Sequence, residues 1–253
     1  MNNICTTVLM GGLGNLLFQI AHAYTYSLRF NKSFELYKNL YHKAHHTNIS
    51  EYSNNLFNNI DLKDSSIDML SSSYVYREQN FGYRQINEIA GNIIFHGYFQ
   101  SYKYIEEFKS ELLQLFNIKN IQTNPNTCAL HVRRGDYVSL PNHHPLQSIE
   151  YYQNAINQIG KSNKFYIFSD DIDWCKKTFS SFDIDQIYSD NKTSTEDFQD
   201  MLTCENHIIA NSTFSWWPAW IVNNRVIAPN KWFGNFYKNY NQSDLIPKEW
   251  TLI

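Results

Sequence analysis

The sequence predicts an α/β protein built on parallel sheets, and three observations carry that prediction. From Cys128 onward, short apolar runs alternate with amphipathic stretches of helical period, the pattern of β-α units. The chain opens with the same device, a β-branched run (ICTTVLM, 4–10) broken by Gly11-Gly12-Leu13-Gly14-Asn15 and followed by a helical stretch. Finally, 253 residues with 43% hydrophobic content can fill one large or two small cores. No segment approaches the roughly 20 apolar residues of a membrane helix.

Taken in order, Ile4–Met10 reads as a buried strand, Leu17–Phe30 as a helix and Phe34–Tyr37 as a second strand. From His42 to about Asp68 the chain is polar and weakly periodic, which predicts helix and loops; Phe81–Asn87 is polar, and Asn92–Phe99 reads as strand and loop. Ser101–Phe116 carries a helical stripe of Tyr104, Ile105, Phe108, Leu112, Leu115 and Phe116. Asn120–Thr127, with Pro125 among polar neighbours, reads as a linker. It divides the chain into an N-terminal lobe, 1–124, and a C-terminal lobe, 125–253, whose last segment can pack back on the first. Strands are expected at Cys128–Arg133, Lys164–Ser169, Gln186–Tyr188, His207–Ala210 and Arg225–Ala228. Helices are expected at Ser148–Ile159, Ile172–Ser180, Thr195–Glu205 and Ser212–Val222.

Composition excludes several function classes. A net charge of −3 with no basic block argues against nucleic acid as a partner. Cys5, Cys128, Cys175 and Cys204 have no C-x-x-C spacing and read as free buried thiols of a reducing compartment. The first apolar run is too short for a secretory signal. The expected location is therefore the cytoplasm, or peripherally the inner face of a membrane. The sequon at Asn211 falls in a functional turn, so glycosylation there is not expected. Aromatic residues make up 16% of the chain; most read as core, and some suit stacking on sugar faces. Trp216, Trp217 and Trp220 are read as core.

In parallel α/β sheets, ligands bind beyond the carboxyl ends of strands, so the residues just after each strand carry the functional reading. His131-Val132-Arg133-Arg134-Gly135-Asp136-Tyr137 follows one strand. Guanidinium forks onto phosphate oxygens as lysine cannot. Adjacent arginines in extended chain point to opposite faces, so one can reach a diphosphate while the other pairs with a structural carboxylate. Asn211-Ser212-Thr213-Phe214-Ser215 follows another strand, where hydroxyl caps and first-turn amides suit an anion. Asp170, after Phe165–Ser169, is placed to accept from a guanine N1–H and exocyclic amine. Asp171-Ile172-Asp173 resembles a metal-binding D-x-D tripeptide but equally suits a helix N-terminus, the reading adopted here. Gly12-x-Gly14 is followed by Leu17, so the dinucleotide fingerprint fails, which disfavours a dinucleotide-dependent oxidoreductase. The histidines at 42, 45 and 46 and at 143 and 144 read as loop residues.

These strings together resemble the bacterial-type α-1,2-fucosyltransferases of glycosyltransferase family 11. The resemblance runs almost the whole length through GGLGN-x-x-FQ (11–19), GYFQSYKY (97–104), HVRRGDY (131–137), FSDD-x-x-W (168–174) and ED (196–197). It continues through IIANSTFSWW (208–217) and IAP-x-x-WF (227–233). Leu16 departs from the family's usual Gln, which puts the acceptor side in question, and Pro218 departs from its usual Gly, which is expected to reshape the helix start. The resemblance implies a GT-B-like architecture, two Rossmann-like lobes with a cleft between them: the first on the acceptor side, the second binding GDP-fucose. It further implies inverting transfer of L-fucose from GDP-β-L-fucose to the 2-hydroxyl of a galactose-type glycan, lipid-linked or free, with no cofactor and no metal. Arg133 would bind the β-phosphate; His131 and Asp170 the nucleoside; Ser212, Thr213, Phe214 and Ser215 the phosphate and nucleoside pocket; and Gly12 and Asn15 the fucose and acceptor side. For the general base, Asp136 is a candidate from position, with Glu196 and Asp197 as others. A fucosyltransferase of other linkage or donor, or a non-catalytic nucleotide- or carbohydrate-binding module, is the competing reading.

Overall fold

The computed structural model describes residues 3–41, 49–64 and 71–253, so the histidines at 42, 45 and 46 lie outside the described residues. The chain divides into two compact units: Met1–Lys119 with Tyr240–Ile246, and Asn120–Asn239 with Pro247–Ile253.

The first unit holds β1 (Ile4–Thr7), α1 (Leu13–Arg29), β2 (Ser33–Phe34), β3 (Leu36–Tyr37), β4 (Leu62–Lys63), β5 (Ser73–Arg77), β6 (Asn92–His96) and α2 (Lys109–Leu115). Its main sheet is parallel, in the order β2-β1-β6-β5. The helix α1 begins four residues earlier than the sequence reading placed it. Leu13, Leu16, Leu17, Ile20 and Ala21 recur at helical spacing and are all buried, so the apolar stripe recruits the glycine segment into the first turn. Gly12, in extended conformation, is its N-cap. The expected helix over 101–116 is broken into two 3-10 turns, Tyr102–Tyr104 and Glu106–Phe108, before α2. Ile105 and Phe108 take non-helical dihedrals, yet Tyr104, Ile105, Leu112 and Phe116 still reach the core. The edge strand β5 has no sequence signature, because most of its residues face solvent and lack alternation.

The second unit is a six-stranded parallel sheet in the order β12-β11-β10-β7-β8-β9. Its strands are β7 (Asn124–Val132), β8 (Lys164–Ser169), β9 (Asp185–Tyr188), β10 (Cys204–Ile208), β11 (Val226–Ala228) and β12 (Thr251–Leu252). Its helices are α3 (Ile149–Ile159), α4 (Ile172–Phe179), α5 (Ser194–Leu202) and α6 (Thr213–Val222). In chain order this is 3-2-1-4-5-6 read from the far edge, the order of dinucleotide-binding sheets. β7 starts inside the segment read as a linker. Proline cannot donate to a ladder; here the register against β10 shifts between Cys204 and Asn206, so Pro125 sits on an irregular overhang. The helix α3 shows how the layers close. The Ser148 hydroxyl accepts the Tyr151 N–H at 3.1 Å, and Tyr151, Tyr152, Ala155, Ile156 and Ile159 bury one face on the sheet. Trp216, Trp217 and Trp220 are core, as read, and pack on one another. The helix α6 runs through Pro218 without interruption. All four cysteines are free and buried. Among the described residues, no helix is long and apolar enough to cross a membrane.

Candidate functional site

The strand order of the second unit reverses between β7 and β10, since the chain builds outward on one side through β8 and β9 and returns on the other. A reversal opens a crevice beyond the carboxyl ends of the two strands. His131 and Arg133 leave β7 at that crevice, and Asn211–Ser215 leaves β10 there. The two segments meet: His131 Nδ1 and Ser215 Oγ are 2.8 Å apart, and the His131 ring lies 5.6 Å from that of Phe214. Burial, with the nearby Arg133 charge, pushes the His131 imidazole down to about 3, so it is neutral at ordinary pH.

Arg133 is held by two carboxylates. Its Nη1 lies 3.0 Å from Asp170 Oδ2, and its Nη2 donates to Asp136 Oδ1 at 2.5 Å. Burial alone would lower its pKa; Asp170 and Asp136 outweigh burial and hold it above the ordinary arginine value. Of the five N–H groups of a guanidinium, one is given to Asp136 in a hydrogen bond, while Asp170 is paired by charge. Arg134 turns the other way, as adjacent residues of an extended chain must. Its Nε donates to Asp171 Oδ2 at 2.9 Å, and its guanidinium lies 4.1 Å over the Trp174 ring. Asp171 also caps α4 by accepting the Trp174 N–H at 3.2 Å, and Asp173 lies in the same first turn. Both acids therefore serve the helix start. Gly135 is a steric requirement of this cluster, because a Cβ there would collide with Asp170 Oδ2.

Asp170, expected at the guanine, is held here between the two arginines. Its Oδ1 accepts the Arg134 backbone N–H at 2.9 Å, and its Oδ2 faces Arg133. Asp136, expected as a base from its position, is bound to the same guanidinium. Glu196 is the N3 residue of a capping box with Thr193 at α5, and Asp197 accepts from Ser189 and Asn191.

Ser212 is the N-cap of α6, its hydroxyl accepting the Phe214 N–H at 3.4 Å, with Thr213 first in the helix. Just before it, Asn211 is 1% exposed and fully engaged. Its Nδ2 donates to the carbonyls of Pro145 and Trp232 at 3.0 and 2.8 Å, and its Oδ1 accepts from Gln147 at 2.9 Å. That burial agrees with an unglycosylated turn. Tyr137 reaches the same turn, donating to the Asn211 carbonyl at 3.0 Å. The neighbouring histidines are packed in loops: His144 stacks on Tyr137 and His143 on Phe236. Among the described residues, no three of His, Cys, Asp or Glu are gathered as a metal ion would need.

The first unit also reverses its strand order, between β1 and β6. Gly12 and Asn15 follow β1. Asn15 Oδ1 accepts from Gln100 Nε2 at 3.0 Å, and Gln100 lies in the loop after β6. Gln19, buried on α1, fastens the Met10 backbone, accepting its N–H at 2.9 Å and donating to its carbonyl at 3.0 Å. Sequence reasoning missed Gln19 and Gln100, which fasten the segments around Asn15. Both lie inside the quoted motifs, and a polar residue set among apolar ones was the available signal.

Comparison with known proteins agrees with this geometry. A family model described as glycosyl transferase family 11 matches residues 6–253. An alpha-1,2-colitosyltransferase of Escherichia coli is 31% identical, over 99% of both chains. The O-antigen biosynthesis glycosyltransferase WbnK of Escherichia coli is 34% identical over 60% of this chain and 58% of its own length. The solved structure of NodZ alpha-1,6-fucosyltransferase soaked with GDP-fucose matches with a TM-score of 0.50 at 14% identity, covering 91% of this chain and 96% of that one. The structure of fucosyltransferase NodZ from Bradyrhizobium matches with a TM-score of 0.50 at 13% identity, covering 89% of this chain and 94% of that one. The fold is thus the GT-B-like pairing of parallel-sheet units, and the chain belongs to glycosyltransferase family 11.

Proposed function

We propose that this transferase moves L-fucose from GDP-β-L-fucose, with inversion and without a metal, to the 2-hydroxyl of a galactose-type residue. The observation that carries the reading is Arg133, fixed by two carboxylates at the strand-order reversal and lying over Tyr137, whose hydroxyl donates to the turn that leads into α6. As the glycosidic bond breaks, negative charge grows on the departing diphosphate. A preoriented guanidinium and helix-start amides supply fixed donors for that charge. In this reading His131 and Phe214 line the nucleoside pocket, Ser212, Thr213 and Ser215 the phosphate side, and Asp170 and Asp136 aim Arg133. Asp136 can accept the acceptor's proton only in competition with its ion pair. Gly12 and Asn15 belong to the fucose and acceptor side. The α-1,2 linkage is supported by the name of the 31% identical relative, and a GDP-fucose donor by the soaked NodZ crystal. An O-antigen-type polysaccharide, lipid-linked at the inner face of a membrane, is the acceptor we favour, after the second relative.

The colitosyltransferase favours a second reading, in which the donor sugar is colitose, the 3-deoxy counterpart of L-fucose. One experiment separates the two. The purified protein is incubated with GDP-fucose or GDP-colitose, EDTA and a panel of β-galactosides, and the product linkage is assigned by NMR. Transfer of fucose to O2 in the presence of EDTA is expected. Transfer from GDP-colitose alone would replace the donor, and activity lost to EDTA and restored by manganese would overturn the metal-free mechanism.

A further inference from the structure

Glu78 follows the edge strand β5 and turns its carboxylate onto the neighbouring loop. Its Oε2 accepts the Tyr98 N–H at 2.7 Å. The Phe99 N–H reaches both oxygens, at 3.0 Å to Oε1 and 3.1 Å to Oε2. That loop, Gly97–Gln100, is the one that leaves β6 at the strand-order reversal and carries Gln100 to Asn15. It is not a relaxed turn: Phe99 has φ +50°, a left-handed conformation that a bulky side chain rarely adopts. Something must hold it there, and two contacts do. The Phe99 ring is stacked on His22 with centroids 4.0 Å apart, and the Phe99 N–H is taken by Glu78. Gly97 leaves the room, since a Cβ there would meet Glu78 Oε2 at 2.7 Å and collide with its Cβ.

We propose that Glu78 is a positioning residue for the transfer reaction, its ionised carboxylate clamping the Tyr98–Phe99 backbone so that Gln100 holds Asn15. The role in turnover rests on the transferase reading above; the clamp itself does not. Ionisation matters because a protonated carboxyl turns one of its acceptor oxygens into a hydroxyl donor. Burial pushes the Glu78 carboxyl up to about 7, against the pull of the Phe99 and Tyr98 N–H groups. The clamp therefore loosens on the acid side of neutrality and tightens above it. The groups facing Glu78 are Tyr76 from β5 and Tyr104 from the turn at 102–104, with Arg84 beside Tyr76. His96 ends β6 in contact with Arg77. His22, under Phe99, is pushed by burial to about 3 and stays neutral. No lysine or arginine forms an ion pair with Glu78 among the described residues. His96 is retained in the Glu78→Gln variant, so any effect it has is common to both proteins.

The test is to follow the Tyr98 and Phe99 amide protons by NMR from pH 5.5 to 8.5 in the wild type and in Glu78→Gln, with no substrate present. Both amides are expected to move downfield together with a midpoint near neutrality, and to stay still in the variant. Turnover of GDP-fucose should rise about tenfold from pH 6 to pH 8 in the wild type. In Glu78→Gln it should be flat and at least tenfold lower at pH 8, while GDP affinity is unchanged. Wild-type amides that do not titrate overturn the clamp, even if the variant fails to fold. A folded variant with full turnover overturns the positioning role. A wild type that titrates but does not use GDP-fucose upholds the clamp and refutes the donor reading.

Discussion

Arg133→Lys keeps the charge and removes the geometry, which makes it the sharpest test of the diphosphate reading. Arg133 gives one N–H to Asp136 Oδ1 and forms an ion pair with Asp170 Oδ2, leaving its other N–H groups to fork onto a phosphate. A lysine ammonium has three N–H groups on one atom, so satisfying both carboxylates leaves one. Those carboxylates belong to different segments, and a single nitrogen reaching both is drawn back from the ligand. The variant should therefore lose a charge-stabilising donor in the transition state. That loss is worth about 10²–10³ in turnover, or roughly 2.7–4 kcal/mol. Arg133→Ala should lose at least as much. The assay is GDP release at saturating GDP-fucose and acceptor, beside GDP affinity by calorimetry and the thermal midpoint as a check on folding. A folded Arg133→Lys enzyme with near-wild-type turnover would refute the bidentate role and leave Arg133 a structural ion pair.

Three further predictions concern stability. His22, His131 and His207 are buried and neutral, pushed chiefly by burial to about 3, 3 and 4 from an ordinary 6.5. Below pH 6.5 the unfolded chain takes up protons that the native state refuses, so stability is lost as pH falls, by about 2 kcal/mol per histidine at pH 5. The Glu78 carboxyl works in the opposite sense between pH 7 and 4.5 and offsets part of this. Neither nitrogen of His22 has a hydrogen-bond partner among the described residues, and its ring lies among Phe95, Phe99 and Tyr104. His22→Phe should therefore stabilise by about 1–2 kcal/mol at pH 7 and more at pH 5, read from urea midpoints; no gain at either pH would count against it. Asn211→Ala strips two carbonyls and the Gln147 amide of their partner. It should cost about 3 kcal/mol and weaken GDP binding, because the turn it pins leads into α6. Unchanged calorimetry and thermal midpoint would dissociate Asn211 from the site.

What the sequence disclosed about the fold follows from how each element earns its place. α3 could be read directly, because Tyr151, Tyr152, Ala155, Ile156 and Ile159 repeat at helical spacing beneath a serine cap. The strands β7 and β8 could be read because sheet neighbours on both sides leave near-continuous apolar runs. β5 could not: it is an edge strand turned to solvent, and pairing with β6 is its only reason to be extended. The early start of α1 was hidden for another reason. Glycine propensity argued for a loop, and only the burial of Leu13 and Leu16 against the rest of the unit overrules it.

The candidate site divides along the same line, between chemistry that is local in sequence and chemistry that needs the sheet. Arg133 and Arg134 were separable because alternation along an extended chain is a two-residue rule, and the structure sends them to different carboxylates. Which carboxylates could not be derived, since Asp170 reaches Arg133 only because β8 lies beside β7 with Val132 opposite Ser169. Once that register exists, the whole FSDD-x-x-W string acquires a physical reading. Phe168 is core, and Ser169 Oγ accepts the Asp171 N–H at 2.9 Å. Asp170 aims Arg133, Asp171 caps α4 and holds Arg134, and Trp174 stacks on it. Glu78 stands furthest from sequence reasoning. Nothing beside it in the chain marks it, and its value lies in where three parallel strands end and in how much water the fold removes from one carboxylate. A residue whose pKa is raised by burial, rather than by a charged neighbour, leaves no pattern in the sequence, so groups of that kind have to be found from the fold outward.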